Sequence, residues 1–374
     1  MKVPFFKFEN KEEERASIKS LLDGSDVDQV SELEKKVASY IGVDYALATS
    51  SGTSALHLAM LALNLKRGDK IVCSVNAHPN VPEVVRHFDA EPIFIDIDSK
   101  SYNINLDFLE KYLQENQSKK LKAVIVTHIA GNTVDLDRLY AMSKTYNVRI
   151  VEDASDAFGA KYNGKFIGST GADITCFNFS AHLKKNICSG GMLVTNNEEI
   201  INRAKLLYNH AIVQNENSLE YIYDVVDIGN NYFMSQLNAA FIRAQINNQE
   251  KNIQRQKEIA RKYSESLKNV EHVTVPEVNA NDEHPFFLYI IKVDKNRDSF
   301  ARELQAKGIQ TGLHYIPLHL LTYYKTKYSL RVNDFPEALR SYQKVLSLPI
   351  YVGMEDKDVA FVIDAIKKIV KTRI

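Results

Sequence analysis

The residues of this sequence whose types and spacing could do chemistry are a lysine pair, an aspartate and a turn of small hydroxylated residues. Ser180-Ala181-His182-Leu183-Lys184-Lys185-Asn186-Ile187 lies between a strand-like run and the diglycine Gly190-Gly191. A lysine at a strand end can form a Schiff base with a carbonyl compound, provided its amine can lose a proton. Upstream, Val151-Glu152-Asp153-Ala154 places an acid at the end of an apolar strand, a costly position unless the carboxylate is paired. Earlier still, Ser51-Gly52-Thr53-Ser54 opens an amphipathic helix, whose first N–H groups and positive dipole end suit a phosphate. Taken singly, each feature has a plainer explanation: a helix cap, a strand-end acid, two solvated lysines. Together, an amine for an aldehyde, an acid for a ring nitrogen and a helix start for a phosphate are what pyridoxal 5′-phosphate requires.

The elements that must position these groups follow from periodicity. Tyr45–Thr49, Lys70–Ser74, Pro92–Asp96, Ala123–His128, Arg149–Glu152, Ile174–Phe179 and Met192–Thr195 read as strands. Helical spacing of apolar residues predicts Glu12–Leu22, Gln29–Tyr40, a helix from Ser54, Val81–His87, Leu106–Gln117 and Asp135–Thr145. Strands alternating with helices predict an α/β fold: a mostly parallel seven-stranded sheet flanked by helices, with ligands gathering at the carboxyl ends of its strands. After residue 197 the chain turns largely helical, and the long amphipathic helix Asn252–Lys268 leads towards a second unit. The division expected is a large domain over 1–250 and a smaller C-terminal α+β domain over 251–374. That smaller part holds a strand at Phe286–Val293, a helix at Phe300–Lys307 and a closing helix at Asp356–Val370.

Composition narrows the partners. The 374 residues carry 47 Lys and Arg against 47 Asp and Glu, with no dense basic block, so nucleic acid is not expected to bind. Cys73, Cys176 and Cys188 lack paired spacing, and no His, Cys and Asp cluster has metal-ligand spacing. No apolar run reaches membrane-spanning length and no secretory leader is evident, which predicts a cytoplasmic protein. The G-x-S-x-G turn of a serine hydrolase is absent.

Four ordered segments carry a family resemblance: Gly52-Thr53-Ser54-Ala55-Leu56-His57-Leu58-Ala59, Glu152-Asp153-Ala154, Gly229-Asn230-Asn231-Tyr232 and His314-Tyr315-Ile316-Pro317-Leu318-His319. In this order they resemble the sugar aminotransferases of the DegT/DnrJ/EryC1/StrS group, of the aspartate-aminotransferase type I fold, from about residue 10 to the C-terminus. The resemblance implies that Gly52, Thr53, Ser54 and Ser180 hold the phosphate, that the His78 ring stacks on the pyridine, and that Asp153 keeps the pyridinium nitrogen protonated. Asp156 stands where many relatives carry glutamine, near the cofactor's phenolic oxygen, a place where a carboxylate would be repelled. Asn231 resembles a residue that reaches the phosphate from a neighbouring subunit, which implies a homodimer with shared active sites. His314, Tyr315 and His319 fall in a loop that in relatives lines the substrate cleft from the partner chain.

The local pattern Phe179-Ser180-x-His182-x-x-Lys185-Asn186-Ile187 favours Lys185 as catalytic lysine. A rigid alignment to Gly190-Gly191 instead puts Leu183 in that slot, Lys184 lies between, and His182 is near the place where a dehydratase branch carries histidine. Ser189, Phe233 and Gln236 replace a Glu, an Arg and an acid common in relatives. The activity implied is transfer of an amino group from glutamate or glutamine to a nucleotide-linked keto sugar, through the pyridoxal and pyridoxamine phosphate forms. A dehydratase using pyridoxamine phosphate, and a catalytically silent homologue acting as a sensor, remain as alternatives.

Overall fold

The apolar runs in the first half of the chain become the strands of one sheet. The computed structural model describes residues 2–7, 12–179, 188–214, 219, 221–278 and 282–372. Its main sheet contains β1 (Tyr45–Thr49), β2 (Lys70–Ser74), β3 (Glu91–Ile95), β4 (Leu121–Thr127), β5 (Arg149–Asp153), β6 (Ile174–Asn178) and β7 (Gly191–Thr195). The spatial order is β1-β7-β6-β5-β4-β2-β3. The run from β3 through β2, β4 and β5 to β6 is parallel. Only β7 is reversed, antiparallel to both β6 and β1. The start of β7 therefore lies at the same edge as the carboxyl ends of the other six strands, which brings Gly190 and Gly191 beside Ser50 and Ser51.

Helices cover both faces, which is why β4 and β5 are buried almost throughout rather than alternately. They are α1 (Glu12–Leu22), α2 (Gln29–Ile41), α3 (Gly52–Ala62), α4 (Asn80–Arg86), α5 (Leu106–Glu115), α6 (Leu136–Tyr146), α7 (Glu198–Leu207) and α8 (Gln236–Ile246). One core joins α3, α4 and α7 to sheet residues such as Ile71, Ile125 and Val151. The other joins α2, α5, α6 and α8 to Val72, Val124 and Ile150. The side chains of β5 thus alternate between the two cores, as pleating requires.

A third core contains Val3, part of α9 (Gln249–Leu267), α10 (Arg297–Ala306), α13 (Asp356–Lys371) and a small antiparallel sheet. That sheet has the order β8 (Val273–Thr274), β9 (Tyr289–Val293), β10 (Val345–Leu348). On α9, Ile259, Ala260, Tyr263 and Leu267 face this core, and the Tyr263 hydroxyl donates to the Pro349 carbonyl at 3.0 Å. Between β9 and β10, α11 (Thr322–Lys327) and α12 (Pro336–Tyr342) place Tyr324 and Ala338 in the first core. Among the described residues no helix is long and apolar enough to cross a membrane.

Candidate active site

The start of α3 is built to present N–H groups. Ser51 is its N-cap in extended conformation, and its Oγ accepts from the Ser54 N–H at 3.1 Å. The Ser51 carbonyl takes the Ala55 N–H. The N–H groups of Gly52 and Thr53 find no acceptor among the described residues, as the first turn of a helix dictates. Two donors and the positive dipole end therefore face outward at the carboxyl edge of the sheet. Glycine is required here by packing. A Cβ on Gly52 would lie 2.6 Å from that of Asn178, and one on Gly191 would lie 2.3 Å from the Ser51 carbonyl oxygen. Ser189, at the reversed strand's approach, donates to the Ser50 carbonyl at 2.8 Å, so it braces this turn.

His78 follows β2 at the same edge and is exposed. Its Nδ1 lies 3.0 Å from Asn80 Oδ1, and the Asn80 amide donates in turn to Thr53 Oγ1 at 3.4 Å. The His78 ring meets Tyr315 edge-on, with centroids 5.9 Å apart and planes at 75°. Thr53, His78 and Tyr315, far apart in sequence, are neighbours here.

Asp153 ends β5 in full burial. Its Oδ1 accepts from the Ser155 hydroxyl at 2.5 Å and the Ser155 N–H at 3.3 Å, while among the described residues Oδ2 has only the Thr127 hydroxyl at 3.4 Å. Burial pushes its carboxyl up from the ordinary value, against the pull of the Ser155 bonds and of the nearby His78 and His128. A cationic N–H arriving at Oδ2 would reverse that penalty.

Asp156 sits one turn further on, also buried, with Oδ2 accepting from the Ala130 N–H at 3.1 Å. Burial is the main reason its carboxyl is raised to about 7, and the charge of Asp153 adds to the effect. Raised so far, Asp156 keeps its proton below about pH 7, where the repulsion expected of its charged form is relieved. Tyr315 belongs to this group within its own chain. Its phenol is pushed well up by burial, then by Asp156 and Asp153, and its N–H donates to Asn76 Oδ1 at 3.3 Å.

Other residues named from the sequence fall elsewhere. The His314 ring stacks on Phe5, and its Nδ1 lies 2.9 Å from Ser347 Oγ. His319 is fully buried against Phe335 with Nε2 on the Val332 carbonyl, so its ring has no face open to a substrate. Asn231 is exposed, and its Oδ1 accepts from the Phe233 N–H at 3.1 Å. The next residue ties this loop to the α3 region: Tyr232 lends its carbonyl to the Ser50 N–H, and its hydroxyl lies 2.6 Å from His57 Nδ1. Gln236 accepts the Gln29 N–H and donates to Asp28, fixing the start of α2. Phe233 packs edge-on against Tyr208. Ser180, His182, Leu183, Lys184 and Lys185 lie outside the described residues.

Three supporting residues escaped the sequence reading. Ser155, two positions after an aspartate, carries a weak signal, since Asx-type turns favour that spacing. Asn80 and His128 carry none. His128 donates its backbone N–H to the Asp153 carbonyl and sets its ring 3.8 Å from Glu152 on the other face.

The arrangement fits pyridoxal phosphate: free N–H groups for the phosphate, and a buried carboxylate with an under-engaged oxygen for the ring nitrogen. The comparisons agree. The model of the DegT/DnrJ/EryC1/StrS aminotransferase family matches residues 9–367. The uncharacterized protein MJ1066 of Methanocaldococcus jannaschii is 35% identical over 347 residues, 90% of this chain and 89% of that relative. The spore coat polysaccharide biosynthesis protein SpsC of Bacillus subtilis is 30% identical, over 92% of this chain and 90% of SpsC. The PLP-form of Spr1654 of Streptococcus pneumoniae, described as a putative sugar aminotransferase, superposes with a TM-score of 0.89 at 25% identity, covering 100% of this chain and 99% of that one.

Proposed function

The chain belongs to the DegT/DnrJ/EryC1/StrS aminotransferase family, and we propose on that premise that it transfers an amino group from glutamate or glutamine to a nucleotide-linked keto sugar. The observation that carries this reading is the pairing of two features at one sheet edge: Asp153 Oδ2, under-engaged with one long bond from Thr127, and the Gly52 and Thr53 N–H groups, without an acceptor among the described residues. Pyridoxal phosphate would supply an electron sink for the charge released at the donor's α-carbon. Asp153 holds a proton at the ring nitrogen, the start of α3 binds and orients the phosphate, and His78 flanks the ring. Lys185 would take up and return the proton released at the donor's α-carbon. Tyr315, edge-on to His78, borders the space left for the sugar.

A homodimer with Asn231 reaching across is part of the same proposal. The segment leading to Asn231 exposes Tyr221, Tyr223, Val225, Val226 and Ile228, the last 83% accessible, an apolar surface that suits burial against a second copy. The name of SpsC, a spore coat polysaccharide biosynthesis protein, supports a role in making sugars for a polysaccharide.

Borohydride reduction with pyridoxal phosphate followed by peptide mapping tests the assignment. A pyridoxyl group on Lys185 is the expected result. A label on Lys184 moves the lysine and keeps the chemistry. Tight cofactor binding with no covalent label overturns the aminotransferase reading in favour of the pyridoxamine-dependent dehydratase.

A further inference from the structure

We propose that the chain carries a second binding site, for a nucleoside diphosphate group, at the amino edge of the main sheet. This edge lies away from the candidate active site by the length of a strand, roughly 20 Å for the seven residues of β4. A hollow of about 810 Å³ opens there, walled by the end of α3, the starts of β4 and β5, the end of α6 and the first turns of α7. Lys119, Lys122, Arg149 and Arg203 line it, and Glu199 is the one acid among its lining residues. Lys66 and Lys120 carry the same charge into an adjoining hollow of about 290 Å³ that shares Lys119 and Lys122. The chain as a whole is balanced, and these cations come from separate segments, so the sequence shows no basic block where the fold builds one.

The cations are short of acids. Among the described residues, Lys66, Lys119 and Lys122 form no ion pair. Lys120 meets the buried Asp69 at 3.3 Å. Arg149 gives one nitrogen to Asp173 at 2.6 Å and Arg203 gives one to Asp227 at 2.5 Å, with no other acceptor for either guanidinium among the described residues. Helix dipoles do not explain the cluster, because the four basic residues of the larger hollow all lie outside the last turn of any helix. Like charges gathered around one hollow repel one another, and a bound polyanion offsets that repulsion.

The shape selects the ligand. A membrane surface would engage charges set on a plane, whereas these surround a concavity of the size that takes small molecules. Its walls are mixed in character. Leu63 and Ile200 supply apolar surface, and Tyr146, half-buried against the second core, adds an aromatic ring. Phosphate oxygens pair with guanidinium and ammonium groups, and a base stacks on an aromatic ring. A ligand with both parts, a diphosphate and a flat base, uses the whole hollow. That group is the same in a free nucleoside diphosphate and in one that carries a sugar.

Photolabelling of the full chain with 5-azido-UDP and 8-azido-ADP, in the presence of pyridoxamine phosphate and followed by peptide mapping, tests the site. Label is expected within 117–122 or 144–149, and excess UDP or ADP should remove it. UDP-glucose as competitor separates the sources: competition equal to that of UDP admits the sugar-linked form, and none restricts the site to the free nucleotide. Lys119→Glu together with Lys122→Glu should raise the probe concentration for half-labelling at least ~10-fold. Tyr146→Leu should raise it ~10-fold while the inhibition constant of inorganic diphosphate against labelling stays the same. Variants at two separate points keep a folding defect in one from deciding the result. Absence of label from both segments, label confined to the carboxyl edge, or labelling indifferent to the two lysines overturns the proposal. Inorganic diphosphate that competes as well as UDP reduces the hollow to a plain anion site, and polyglutamate that competes better than UDP points to an acidic protein segment. Either result overturns the nucleotide assignment.

Discussion

Glu152 and Asp153 are consecutive buried acids on β5, facing opposite sides of the sheet, and they are treated in opposite ways. Burial alone would raise Glu152, yet His128, the Tyr140 hydroxyl at 2.7 Å and the Thr175 hydroxyl at 2.8 Å together hold it below its ordinary value. Asp153 receives Ser155 on one oxygen and a single long bond on the other, and stays raised. An acid with both oxygens firmly engaged ties elements together. An acid left one oxygen short, at the edge where ligands collect, is kept for a ligand. Burial and residue type are almost the same in the two cases; the hydrogen-bond inventory separates them.

Removing the acid on the ligand side gives the largest expected effect. Asp153→Asn should slow conversion of the bound cofactor to its amine form by glutamate roughly 10³-fold, read by absorbance, while stability to urea changes by at most ~1 kcal/mol. If that variant instead loses stability and keeps its rate, Asp153 is a structural acid like Glu152 and the contrast fails.

The second test uses pH on protein freed of cofactor. Asp156 moves from an ordinary 3.8 to about 7 and Asp153 moves in the same direction. Asp156 binds more protons folded than unfolded in that interval. Its contribution is therefore complete below 3.8 and is lost as pH rises through about 7, a fall of roughly 4 kcal/mol, and the raised Asp153 adds a loss of the same sign above 3.8. Urea midpoints measured from pH 4.5 to 8 should show this decline. Asp156→Asn should flatten most of it, and an equally steep variant would count against the buried proton.

Glu152 reverses the sign. Its lowered value means that its contribution is present above 4.5 and is lost on further acidification. Glu152→Ala should cost about 3 kcal/mol, because Tyr140 and Thr175 lose an acceptor in a closed interior and the His128 ring loses the acid 3.8 Å away. Pyridoxamine phosphate affinity, by dialysis, should move less than the urea midpoint does. A variant that loses affinity but not stability would join the two faces into one site.

Much of this contrast was legible in the sequence, and the limits are physical. The parallel strands announced themselves as apolar runs, and Asp153 as the acid ending one of them. The reversal of β7 left no mark, since a fully buried strand reads alike in either direction. The strand Val345–Leu348 is too short to show a period. How fully Glu152 and Asp153 are engaged could not be read, because their partners include Thr127, His128, Tyr140 and Thr175, on other elements. His319 read as a cleft residue through its motif, but the fold turns its ring inward against Phe335. Gln236 read as a replacement for an acid common in relatives, and the structure uses it to hold the start of α2. Asp156 and Tyr315 meet only in the folded chain, so nothing local in the sequence could foretell a shared proton environment.

The smallest effect carries the comparison to a single helix turn. At the start of α3 the Ser54 N–H is satisfied by Ser51 Oγ, whereas the N–H groups of Gly52 and Thr53 are not. Ser51→Ala removes that bond and the 2.9 Å contact of Ser51 Oγ with the Ser54 hydroxyl, and leaves the Gly52 and Thr53 N–H groups untouched. It should cost about 1 kcal/mol in urea unfolding, as loss of a serine cap does, with the Ser54 hydroxyl still held by Ser50 at 2.8 Å. Inorganic phosphate affinity, measured by calorimetry on cofactor-free protein, should stay within about twofold, because the dipole end and both open donors remain. A large loss of phosphate binding with little loss of stability would mean that the serine hydroxyl, rather than the open N–H pair, is the anion's ligand. The rule that unsatisfied groups mark the site would then fail at the very position where the backbone leaves least freedom to satisfy it.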